Sequence, residues 1–223
     1  MSFQVAVHPR DRWARAAADA VLASLPQPGS VVLTGGSAAE LVLPLLIGPE
    51  VHWRSLSLYF SDERAVPPED PNSNFGLIHD RLLIHIEARS VNRIRGEDEP
   101  GHAALAYQQV VAPAVERGFD LMLLGVGREG HIAGLFPGSP ALDATDRLCL
   151  PVQRPDGMMG ITLTPPALTS ARRILLLVSG ESKADAVRRA VSGDEPPTTC
   201  PVRVLAHHPR ARFVLDEAAA SLL

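Results

Sequence analysis

Aromatic residues are scarce in this chain, at 4% of 223 positions, and its hydrophobic content is aliphatic instead. That scarcity argues against a stacking platform for single-stranded nucleic acid, which sets exposed aromatics beside a basic groove. Positive charge is not concentrated either. The arginines are scattered, no run of Lys and Arg forms a tail, and the net charge is −4 with a pI near 6.1. A basic surface over the whole molecule is excluded, which leaves room for a local anion pocket. The two cysteines, Cys149 and Cys200, stand far apart at no metal-ligand spacing and read as buried reduced thiols. His207 and His208 lack a third partner for a metal. No apolar run approaches the ~18 residues of a membrane span. The opening MSFQVAVHPRDRW is charged and broken by Pro9, unlike a signal peptide. The expectation is a soluble, cytoplasmic protein with no nucleic-acid and no membrane partner.

What is present points to an α/β fold. Short aliphatic runs at Gln4–Val7, Ser30–Leu33, Ser55–Phe60, Phe119–Leu124 and Arg173–Val178 read as strands. Most are continuously apolar rather than alternating, as suits strands buried on both faces. Helical patterns lie between them at Asp11–Leu25, Ser37–Leu43, Asn74–Ile86, His102–Arg117 and Glu181–Val191, with Pro44 stopping the second. Pro201–Ala206, Ala211–Leu215 and Asp216–Leu222 add a short helix, a last strand and a closing helix. The alternation predicts a largely parallel, Rossmann-like sheet with helices on both faces. No repeat or low-complexity linker interrupts it, GEDEPG at 96–101 reads as a surface loop, and residues 1–223 are expected to form a single domain.

In an open sheet of this kind, ligands bind beyond the carboxyl ends of the strands. Three segments stand there. Thr34-Gly35-Gly36-Ser37 follows a strand and opens a helix; two glycines admit close backbone approach, and Ser37 is placed to cap a helix whose free N–H groups favour an anion. A tight turn with a serine cap is the plainer reading. Ser61-Asp62-Glu63-Arg64 ends a buried strand ahead of a proline-rich loop, and Arg64 offers a planar fork for phosphate or carboxylate. A solvated turn with a surface ion pair is the alternative. Gly125-Val126-Gly127-Arg128-Glu129-Gly130-His131 follows the most hydrophobic strand. It contains GxGxxG, but Gly134, Pro137, Gly138 and Pro140 break the helix that a dinucleotide fingerprint must open. A glycine loop ending in His better suits a reacting centre with an imidazole proton acceptor.

Together these segments resemble the 6-phosphogluconolactonases, within the wider superfamily of sugar-phosphate isomerases and deaminases. The resemblance rests on TGGS, DERAVPPEDPNSNFG (62–76), GVGREGHIAGLFPG (125–138), ITLTPPALTSARRILLLVSGESKADAV (161–187) and CPVRVL (200–205). It departs at Glu129, where the loop usually has Asp, at Gly134, usually Ser, and at Gly160, where a basic residue commonly precedes the ITLT strand.

The resemblance implies hydrolysis of 6-phosphoglucono-δ-lactone to 6-phosphogluconate, the second step of the oxidative pentose phosphate pathway, by a monomer or small homo-oligomer. His131 would take a proton from the attacking water, oriented by Glu129 or Asp62. Arg64 and Lys183, with Arg203 beside them, would hold the phosphate. Gly35, Gly36, Ser37 and Asn74 would shape the site or meet the sugar. Neither a metal nor an organic cofactor is expected. A related deaminase also has a Gly-His loop but carries an acid in the following Asn-Glu-Pro, where this chain reads Gly134-Leu135-Phe136-Pro137. A sugar-phosphate sensor that has lost catalysis is the alternative of another class.

Overall fold

The computed structural model describes residues 3–223. In chain order its elements are β1 (Gln4–His8), α1 (Trp13–Leu22), β2 (Gly29–Leu33), α2 (Ser37–Val42), β3 (Leu56–Phe60), β4 (Asp62–Arg64), α3 (Asn74–Arg81) and β5 (Ser90–Asn92). They continue as α4 (Pro100–Arg117), β6 (Leu121–Leu124), β7 (Cys149–Gln153), β8 (Met159–Leu163), α5 (Pro165–Thr169), β9 (Ile174–Val178), α6 (Ala184–Ser192) and β10 (Ala211–Asp216). No helix among the described residues is long and apolar enough to cross a membrane.

Seven parallel strands form the main sheet in the order β1-β10-β9-β6-β2-β3-β5. Every residue of β6 and β9 is buried. Because successive side chains point to opposite faces, both faces must be covered, and the expected parallel α/β sheet is borne out. From β2 the chain steps outward to β3 and β5, then returns to the other side of β2 with β6 and runs on to β9 and β10. The neighbours β2 and β6 therefore mark the point where the winding reverses, the usual place for a ligand crevice.

A second, antiparallel sheet of order β4-β8-β7 was not foreseen. It grows from buried Ser61, whose N–H donates to Leu33 O at 2.9 Å and whose carbonyl accepts from Leu163 N at 2.8 Å. One residue thus joins both sheets, and the segment Asp62–Arg64 that follows is a strand rather than a turn. β7 escaped the sequence pattern because Pro151 interrupts it, which an edge strand tolerates. β5 is only three residues long. The closing helix expected over Asp216–Leu222 does not form; β10 runs through Asp216 and the chain ends in turns. The helix expected over Asn74–Ile86 stops at Arg81, where Leu82 turns out at φ −141° before a short 3-10 turn.

β3 extends one residue past its pairing with β5, so the backbone of Phe60 lacks a strand partner on that side. Tyr107 of α4 supplies one: its buried hydroxyl accepts from Phe60 N at 2.7 Å and donates to Phe60 O at 2.9 Å. This bond pair braces the strand just before it leaves the sheet. Tyr107→Phe leaves both groups buried and unpaired, and should lower stability by about 1–3 kcal/mol, read as a shift in the urea midpoint. A loss within 0.5 kcal/mol, the spread of neutral surface changes, would show that the phenol does not brace β3.

Candidate active site

The cleft opens over the carboxyl ends of β2, β6 and β9, at the reversal of winding, and the small sheet walls one side. Gly35, Gly36 and Ser37 line it from the β2–α2 turn, Asp62 and Arg64 from β4, Asn74 from the start of α3 and His131 from the β6 loop. Lys183, the chain's single lysine, reaches it from the turn before α6.

The acids of the second segment are not solvated. Glu63 is 3% exposed, and its carboxylate accepts from Arg64 N (2.8 Å), Asn74 N (2.6 Å), Phe75 N (2.7 Å) and Ser73 Oγ (3.1 Å). Two of these donors are the first free N–H groups of α3, which the carboxylate caps. Burial pushes the Glu63 pKa up against the pull of those bonds. Asn74, so fixed, donates from Nδ2 to both Asp62 O and Asp62 Oδ2 at 3.0 Å. Its carboxamide also fills the space where a Cβ of residue 35 would lie, so position 35 must be glycine. Asp62 Oδ1 accepts from Ser61 Oγ at 2.6 Å. Arg64 donates from Nη1 to Asn72 O, while its buried Nε has no partner.

The loop after β6 is a tight turn, with Gly130 N donating to Gly127 O at 3.0 Å and Gly127 N to His131 O at 2.9 Å. Gly130 takes φ +87°, open to glycine at little cost. The imidazole of His131 lies directly against the α-carbon of Gly127 and stacks at a tilt on Phe136, centroids 4.5 Å apart. Its Nδ1 stands 3.2 Å from Glu129 Oε1. The two are close enough to pair as charges, yet the alignment gives no hydrogen bond and Nδ1 is otherwise unpartnered. Burial lowers the His131 pKa below its ordinary value, and Glu129 and Asp62 oppose that shift without cancelling it. The ring is therefore neutral near pH 7, able to accept a proton. Burial also works against the Glu129 carboxylate, but a backbone N–H, His131 and Lys183 hold its pKa below the usual range. Lys183 is itself lowered, first by burial and then by Arg128.

Two expectations are corrected. Arg203 does not reach the cleft: its guanidinium donates to Glu195 O (2.6 Å), Ala190 O (3.1 Å) and Arg189 O (3.4 Å), tying a 3-10 turn to the end of α6. Ser37 does not cap α2; Gly36, at φ +89°, occupies the cap and Ser37 is the first helical residue. Glu129 stands behind His131 rather than on the cleft surface. The sequence reading missed Arg154, which enters the cleft from the β7–β8 turn. The signal was available in Arg154-Pro155-Asp156-Gly157, a hairpin turn that would have paired β7 with β8.

Gly127 generates a direct test. A methyl group there would overlap the imidazole ring of His131. Gly127→Ala should displace the ring and cut turnover at least about tenfold, well beyond any cost to folding, since a 1 Å misplacement can cost 10²-fold. Wild-type turnover would show that the ring tolerates another position.

The family described as glucosamine-6-phosphate isomerases/6-phosphogluconolactonase matches residues 4–214. A protein named 6-phosphogluconolactonase from Haemophilus influenzae is 31% identical over 100% of this chain and 99% of its own length. One of the same name from Mycobacterium tuberculosis is 36% identical over 86% of this chain and 84% of its own. The solved structure of 6-phosphogluconolactonase from Trypanosoma cruzi superposes with a TM-score of 0.87 at 26% identity, covering 100% of this chain and 98% of that one. With its sheet order, its glycine loop ending in His131 and a match over nearly its whole length, this chain belongs to the glucosamine-6-phosphate isomerase/6-phosphogluconolactonase family.

Proposed function

We propose that this chain hydrolyses 6-phospho-D-glucono-1,5-lactone to 6-phospho-D-gluconate, with His131 as general base. Water attacks the lactone carbonyl carbon while its proton passes to the neutral imidazole. The tetrahedral intermediate then collapses, the ring C–O bond breaks, and His131 returns the proton to the leaving alkoxide. Backbone N–H groups at Ser37 and Ala38, or those of the Gly125–Gly130 turn other than the bonded Gly127 and Gly130, would stabilise the oxyanion. A lactone is already reactive, so positioning and one proton acceptor suffice. Arg64 and Lys183 take the phosphate, and Asp62 and Asn74 the sugar hydroxyls. The observation that carries this reading is a half-buried imidazole, held between Gly127 and Phe136, in a cleft with unpaired cationic donors.

Within the family the other activity is ring opening and deamination of an amino-sugar phosphate. The stretch that would carry its acid has Phe136, packed on His131, and the segment 134–137 holds no carboxylate. An apolar ring there favours the lactonase. A coupled assay that generates the lactone in place and follows its loss above spontaneous hydrolysis tests the proposal; no acceleration would leave a binding-only protein.

His131→Ala should lower turnover about 10²–10⁴-fold, the range of general-base catalysis, with the fold retained because the ring belongs to a loop. Retention of most activity would remove His131 as the base.

The acid limb of kcat/KM reports the free enzyme's base. His131 must be neutral to act, so activity should fall as pH drops through its pKa, and burial sets that limb below the ordinary 6.5. Glu129 pulls this pKa upward. Glu129→Gln should therefore move the limb to still lower pH and slow turnover, because the imidazolium formed loses its counter-charge. Glu129→Asp should keep substantial activity. A Glu129→Gln profile superimposable on wild type would pass the role to Asp62.

A further inference from the structure

Arg154 is the cleft cation that this mechanism leaves unused. It begins the β7–β8 turn, closed by Arg154 N to Met158 O at 2.9 Å and Gly157 N to Arg154 O at 3.0 Å. Its side chain is only 14% exposed and turns inward. The stem crosses Gly160: a Cβ there would lie 3.4 Å from Cδ and 3.6 Å from Cγ of Arg154. Gly160 is also the β8 partner of Arg64. Opposed residues of an antiparallel pair project to one face, so Arg64 and Arg154 flank a lane that the absent side chain at 160 leaves open.

Within that lane the donors are poorly satisfied. The Arg154 guanidinium carbon sits 5.2 Å from the Phe136 ring centroid, which fixes the plane of its fork. Nε and Nη2 both reach Asp156 Oδ2 at 3.2 Å, and Nη1 makes no hydrogen bond among the described residues. The Asp156 side chain is 42% exposed, and ion pairs at such exposure contribute little. Across the lane the buried Arg64 Nε is unpartnered as well. Arg64, Arg154 and Lys183 face one lining carboxylate, Asp62. That surplus suits a phosphate monoester carrying about −1.5 to −2 charges at pH 7.

We propose that Arg154 binds the substrate's phosphate and sets selectivity for phosphorylated lactones, exchanging Asp156 for the phosphate and sharing it with Arg64 and Lys183. Two guanidinium forks on one lane supply the directional, charge-assisted bonds that a lone lysine cannot. The inference rests on the lactonase reading for its substrate, and on the cleft alone for its anion.

The test titrates inorganic phosphate calorimetrically into wild type, Arg154→Ala and Arg154→Lys, and compares kcat/KM for the 6-phosphorylated and unphosphorylated gluconolactones. Arg154→Ala should weaken phosphate binding about 10- to 100-fold, the worth of one or two charge-assisted bonds. The selectivity ratio should fall by a similar factor, and Arg154→Lys should lie between, keeping charge but losing the fork. Phosphate binding within twofold of wild type in Arg154→Ala overturns the assignment, as does an equal loss on both lactones or no phosphate binding by the wild-type chain. Weakened phosphate binding in a chain that hydrolyses neither lactone would sink the lactonase reading and uphold Arg154. Unchanged phosphate binding in an active lactonase would sink Arg154 alone.

Discussion

The Glu63 carboxylate is the fixed point from which one wall of the cleft is built. An acid buried to 3% exposure is costly unless each lone pair is met, and four donors meet it. Those donors come from both ends of the proline-rich loop, so one group sets where β4 ends and where α3 begins. Asn74 then has a single place to lie, between Asp62 and the bare α-carbon of Gly35. Asp62, Asn74 and the β2–α2 turn are therefore positioned together rather than one by one.

The opposite wall depends on glycine in another way. Gly127 lacks a side chain so that His131 can rest on the backbone, and Gly130 accepts a dihedral that others resist. Pressed between Gly127 and Phe136, the imidazole loses water and, with it, the tendency to hold a proton. Glu129 restores part of that tendency from behind. Two opposed influences on one ring give a base that is free at neutral pH yet stabilised once charged.

Much of this was legible in order along the chain. The continuous aliphatic runs revealed the buried strands, and the segments that follow them supply eight of the ten residues named for the site to the cleft, with Glu129 beside His131. What escaped was whatever depended on partners distant in sequence. β7 carries a proline and β5 is three residues long, so neither shows a period. Asp62–Arg64 reads as a turn until Ser61 is seen to join two sheets. Arg203 looked available as a phosphate ligand, but an arginine pattern does not reveal that three carbonyls already claim it. Arg154 was hidden for the converse reason, since only the hairpin carries it across Gly160 into the cleft.

The position of β1 has a consequence for how the chain is made. Among the described strands it is made first, yet its partner in the sheet is β10, in a register that joins Gln4 to Arg212. Trp13 reinforces the same link, its buried Nε1 donating to Val214 O at 3.0 Å. During translation β1 must therefore wait, with its backbone N–H and C=O groups unpaired, until β10 has been made. The β2–β3 pair can form much earlier, from neighbouring sequence. Assembly that starts from such local pairs closes only when β1 meets β10, a long-range step of the kind that slows folding and leaves strand edges open to aggregation.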